Sequence, residues 1–69
     1  MAQETFDQRF GRAMAQAMAK KNISQIELSY EIDVTQSSIS CYISGKNAPR
    51  LATALKICAY LDIDLEIFI

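Results

Sequence analysis

Two helix starts stand close together in the middle of this chain, and they leave little freedom in how it folds. In "ISQIELSYEIDVTQSSISCYISGK", Ser24 precedes Glu27 by three residues, and Thr35 opens a second run. Ser and Thr hydroxyls accept from the unpaired amides of a first helical turn. A Glu three places on can reach back to the cap's own amide and complete a capping box. Ile23 and Leu28 flank the first start, Val34 and Ile39 the second, as apolar pairs that clasp a helix entry. Asp33 tolerates the left-handed backbone of a tight turn between the two. The segment predicts two short helices, with Leu28 and Ile32 inward on the first. Ile39, Tyr42 and Ile43 are the apolar positions of the second, which Gly45 stops.

The flanks extend the pattern. Phe6, Phe10, Ala13, Met14, Ala17 and Met18 recur at helical steps, predicting an amphipathic helix that ends near Lys20–Lys21. After the loop "KNAPR", Pro49 suits the first turn of another helix, with Leu51, Leu55, Cys58 and Leu61 as its buried stripe. Asp64 can cap a last turn or helix, "LEIFI". The expectation is an all-α domain of five short helices over residues 1–69, held by one small core.

Several function classes fall away. The chain has no His, and Cys41 and Cys58 form no CxxC pair, so no metal site is expected. A structural disulfide between them is not expected in a reducing cell. No nucleophile stands paired with a base and no Gly-rich loop is present, which argues against an enzyme and against a cofactor or small-molecule ligand. No apolar run approaches the ~18–20 residues that cross a bilayer, and "MAQETFDQRF" lacks signal-peptide character. A cytoplasmic protein, away from membranes, is expected. The net charge of −1 means that any nucleic-acid binding must rest on a local arrangement of few cations.

Two short helices across a tight turn define a helix-turn-helix. The run "SQIELSYEIDVTQSSISCYISGKNAPR" resembles the phage repressor and Cro family, also called lambda-repressor-like or XRE-like. Gln25, Leu28, Ser29, Asp33, Gln36, Ile39, Gly45, Lys46 and Pro49 carry the resemblance. It implies a lambda-repressor-like DNA-binding domain with its helix-turn-helix at about residues 25–44. It further implies a small transcriptional regulator of a phage or its bacterial host, whose recognition helix, at about 35–44, enters the major groove of operator DNA. By that likeness Thr35, Gln36, Ser37 and Cys41 face the bases. Gln25 holds a phosphate and braces Gln36, and Lys46, Asn47 and Arg50 grip the backbone. A homodimer on a palindromic operator would complete the picture, with "IDLEIFI" either its interface or a lid on the core.

The departures from the pattern are as informative. Where many members pair Arg late in the first helix with Glu late in the third, this chain has Met18 and Ile43, which are expected to touch. On the outer face of the second helix Ile26 and Tyr30 lie one turn apart, opposite Leu28. They are a candidate protein-binding face. The alternative function is thus an antirepressor, which uses the same fold to mask a partner repressor, alone or in a heteromeric complex on DNA.

Overall fold

The structure, a computed structural model, describes residues 4–64 and Glu66. Within them lie four helices: α1 (Phe6–Lys21), α2 (Gln25–Ile32), α3 (Gln36–Ser44) and α4 (Leu51–Leu61). The expected fifth helix falls on residues 65–69, which apart from Glu66 lie outside the described residues. At its start the Glu66 amide donates to Asp64 Oδ1 at 3.0 Å, the cap expected of Asp64.

Three helices begin on a side-chain cap. Thr5 and Gln8 exchange bonds at the start of α1: the Gln8 amide donates to Thr5 Oγ1 (3.1 Å) and the Thr5 amide to Gln8 Oε1 (3.0 Å). This reciprocal box is one the sequence reading missed, although T-x-x-Q before an apolar run announces it. Ser24 caps α2 by accepting from the Glu27 amide at 3.0 Å. The other half of the expected box is absent. Glu27 Oε2 instead accepts from the Tyr60 hydroxyl at 2.8 Å, tying the end of α4 to the start of α2. Thr35 caps α3 as expected. Pro49, expected inside the first turn of α4, precedes its cap residue Arg50 and is buried.

All four helices end on a left-handed residue: Asn22, Asp33, Gly45 and Asp62. In each, the next residue's amide reaches back to a carbonyl in the last turn, from Ile23 to Met18, Val34 to Ser29, Lys46 to Cys41 and Ile63 to Cys58. Ile23, Val34 and Ile63 then pack against the core, the apolar contact that accompanies such helix ends. Lys46 is exposed instead.

The core gathers Phe10, Met14 and Met18 of α1, Leu28 and Ile32 of α2, Ile39 of α3, and Ala54, Ile57, Cys58 and Leu61 of α4. Ile43 packs against this cluster, of which Met18 is a member. The stripe predicted for α4 needs correcting: Leu51 and Leu55 are 68% and 50% exposed, and Ala54 and Ile57 take the inward places. Apolar residues nearly surround α4, so periodicity alone could not choose between two faces one residue apart. Phe6 is likewise half exposed, and stacks on Phe10 with ring centroids 5.7 Å apart.

α1 crosses the end of α3 at close range. A Cβ on Gly11 would stand 2.6 Å from the Ile43 carbonyl oxygen and nearer still to that of Tyr42. Only a glycine lets the two backbones meet there. This contact sets the angle at which α3 projects from the core.

Candidate nucleic-acid interface

α3 is anchored from one side and bare on the other. Ile39 is its one fully buried residue, with Tyr42 and Ile43 packed beside it. Gln36, Ser37, Ser40 and Ser44 are exposed, and Cys41 is half buried. At about 100° per residue those four exposed positions span roughly a third of the helix circumference, away from Ile39.

Hydrogen bonding sorts the polar groups on this face. Thr35 Oγ1 accepts from the Ser38 amide (3.1 Å) and donates to Ser38 Oγ (2.9 Å). Its proton is therefore engaged within the cap, which leaves at most one lone pair for a ligand. Ser44 Oγ donates to the Cys41 carbonyl at 3.0 Å, and Ser29 Oγ to that of Ile26 at 2.7 Å. Among the described residues no hydrogen bond joins Gln25 to Gln36, so the expected brace is not formed; Gln25 is half buried at the start of α2.

Apart from Gln25 and Lys46, the sequence-predicted residues line two depressions beside α3. In the first, Ser37 and Cys41 of α3 meet Asn47 and Arg50 of the following loop, together with Ser38, Tyr42, Ala48 and Asp7. Asp7, from the first turn of α1, places an acid beside the expected backbone grip. Its closeness to α3 depends on the Gly11 crossing and could not be read from sequence. In the second, Thr35 and Gln36 share a wall with Ile26 and Tyr30, along with Ser29, Asp33 and Val34. Tyr30 is 82% and Ile26 52% exposed, as their place opposite Leu28 predicts. Lys46 is exposed at the end of α3, and among the described residues neither it nor Arg50 is held in an ion pair. Arg12, by contrast, is paired with Glu4.

This arrangement is two short helices across a left-handed Asp33, the second with a polar outer face and, beyond its end, two cations that form no ion pair among the described residues. The helix-turn-helix family model matches residues 14–68. The chain belongs to the XRE or lambda-repressor-like helix-turn-helix family. That is a family of DNA-binding transcription regulators. Comparison with curated proteins and with solved structures finds no match. The helix-turn-helix lies wholly inside the matched span, as do Lys46, Asn47 and Arg50, whereas Asp7 and Gly11 precede it. No helix among the described residues is long and apolar enough to cross a membrane.

Other titratable groups lie away from this face. Burial, with a smaller contribution from Asp64, pushes the Cys58 thiol up, which suits an inert core residue. The hydrogen bond to Glu27 is the main cause that pushes the Tyr60 phenol up to about 12.

Proposed function

We propose that this helix-turn-helix protein is a small regulator of the Cro or repressor kind, from a phage or its bacterial host. It would bind operator DNA in the cytoplasm by laying α3 in the major groove. The observation that carries this reading is the bare polar face of α3, with Gln36 and Ser37 at its start and the unpaired Lys46 and Arg50 beyond its end. Gln36 is suited to a bidentate pair with adenine, and Ser37 to either partner of a base pair. Lys46, Asn47 and Arg50, with Gln25 on the other flank, would hold phosphates. Thr35 serves mainly as the cap of the reading helix, and Cys41, a weak donor, fits a close approach to the bases.

Two cations beside α3 in each protomer, Lys46 and Arg50, make the salt dependence small but measurable. If a homodimer neutralises about four phosphates, log K should fall with log salt at a slope of about −3 to −4. The test is a titration against DNA from the gene's own neighbourhood, at low and moderate salt, with random competitor DNA present. Tight and selective binding with that slope supports the reading. Weak, unselective binding overturns it.

A second reading has its own support. Ile26 and Tyr30 share a depression with Thr35 and Gln36, so a protein seated there would also cover the start of α3. That suits an antirepressor that masks a partner repressor or joins it on DNA. Its mark would be protein binding that resists salt and that Tyr30→Ala abolishes.

A further inference from the structure

We propose that Asp7 and Asp33 restrain this protein's affinity for random DNA, each by setting a carboxylate in one of the two depressions beside α3; the inference rests on the DNA-binding reading above. α3 itself, "QSSISCYIS", carries no charged side chain. The charges around it come from its neighbours. One depression holds Asp7 and Arg50 as its only charged residues, and the other holds Asp33 alone. Lys46 stands exposed at the end of the helix. Two acids thus accompany two bases, and these charges around α3 sum to zero. Among the described residues none of the four is held in an ion pair.

Local structure asks little of either charge. The reciprocal Thr5–Gln8 cap already serves the start of α1, so Asp7 adds only the modest benefit of an acid in a first turn. Asp7 also precedes the span that the family model matches, so the helix-turn-helix pattern does not call for it. Asp33 holds a left-handed backbone (φ 57°), a place that a neutral Asn also fills. Against DNA the charges matter more. A duplex presents one negative charge per about 1.7 Å of its axis, and random-sequence binding draws essentially all its strength from cations set against that charge. Asp7 shares a depression with Asn47 and Arg50, so it meets the same phosphates that they would hold. A carboxylate ~8 Å from a phosphate weakens binding by roughly threefold to tenfold, between the limits of bulk water and a protein surface. The two acids weaken every DNA complex alike, and only the operator has base contacts to compensate. Rejection of the wrong partner thus works beside attraction of the right one.

The test removes the charge and keeps the shape. Asp7→Asn, Asp33→Asn and the double variant would be compared with wild type in the full chain, by titration against random duplex DNA at several salt concentrations. Asp62→Asn is the matched control. Like Asp33, Asp62 ends a helix in a left-handed conformation (φ 61°), but it lines a depression with Lys20 and Lys21 that no α3 residue reaches. Asp7→Asn and Asp33→Asn should each tighten random-DNA binding roughly threefold to tenfold per protomer, and the double variant by about the product. Their binding should also fall more steeply with salt than that of wild type. Asp62→Asn should leave affinity and salt slope as in wild type. A variant that folds poorly can only bind less, so lost stability cannot counterfeit the gain. Wild-type affinity and slope from the double variant overturn the proposal, and the DNA-binding reading still stands if wild type selects a sequence from a randomised duplex pool. An equal gain from Asp62→Asn reduces the effect to net charge and also overturns it. A wild type that selects no sequence, with a double variant that binds no DNA at low salt, removes that reading and this proposal together.

Discussion

Helices α1 and α3 meet at Gly11, and they are built on opposite terms. α1 has sixteen residues, begins in a reciprocal cap, buries Phe10, Met14 and Met18, and ends with Ile23 packed against the core. α3 has nine residues, buries only Ile39 completely, and ends with Lys46 in solvent. Ser is an indifferent helix former, and an isolated helix of this length is not stable in water. α3 is therefore helical because α1 and α2 hold it, and its outward residues are released from any duty to the core. The protein concentrates stability in one helix and exposes chemistry on the other.

The sharpest way to break this division is at the crossing itself. Gly11→Ala would ordinarily gain about 0.5–1 kcal/mol by helix propensity. Here the new Cβ meets the Tyr42 and Ile43 carbonyl oxygens, which belong to backbone and cannot turn aside. Overpacking of that kind costs about 1–3 kcal/mol or more. We expect a net loss near the top of that range, a large share of the stability available to a domain this small. Urea unfolding would measure it, and a variant as stable as wild type would mean that α1 and α3 sit further apart than described.

A smaller effect separates the helix ends. Gly45 (φ 79°) and Asp33 (φ 57°) both hold left-handed conformations, one at the end of α3 and one between α2 and α3. At Gly45 an added Cβ would also stand 2.9 Å from Gln8 Cγ and 3.1 Å from Gln8 Cα. Gly45→Ala should cost about 1–2 kcal/mol from the left-handed backbone alone. Asp33→Gly should gain about 0.5 kcal/mol, since glycine is the less strained occupant of that conformation. Thermal melts of the pair test this. If the two substitutions shift the melting temperature in the same direction, the left-handed caps are not what limits these helix ends.

The sequence made the anchored parts of the molecule plain and left the crossings obscure. Ser24, Thr35, Asp33 and Gly45 act within a few residues of themselves, so local chemistry places them correctly. The inward faces of α1, α2 and α3 follow from apolar spacing because polar residues mark their outward sides. α4 offers no such contrast: apolar spacing points to Leu51 and Leu55, whereas Ala54 and Ile57 are inside. Around α3, the family resemblance singles out Gln36, Ser37, Lys46 and Arg50 as candidates, and all four are exposed. It could not see that the Thr35 hydroxyl is engaged while that of Ser40 is free, because hydrogen bonds divide residues that composition treats alike. Nor could it bring Asp7 to the groove beside Asn47 and Arg50. A lone glycine in the middle of α1 was the available hint of a close crossing.

The faintest of these effects concerns how α2 is held in place beneath α3. The Tyr60–Glu27 hydrogen bond is one link between α4 and the start of α2, and it takes the carboxylate that the capping box would have used. The bond also raises the Tyr60 phenol to about 12, above its ordinary value near 10. A phenol whose pKa is higher in the folded chain than in the unfolded one stabilises the fold fully below the unfolded value. That contribution is lost as pH rises through the folded one. Tyr60→Phe should therefore melt slightly below wild type at neutral pH, and the gap should close between about pH 10 and 12. The comparison must be made as a difference between the two proteins at each pH, because lysines titrate in the same window and cancel only in that difference. A gap that persists unchanged to pH 12 would assign the effect of Tyr60 to packing against the core. A gap that closes, by contrast, means that Tyr60→Phe also releases Glu27 to complete its cap, and the variant should then show the Ser24 amide more strongly protected from exchange.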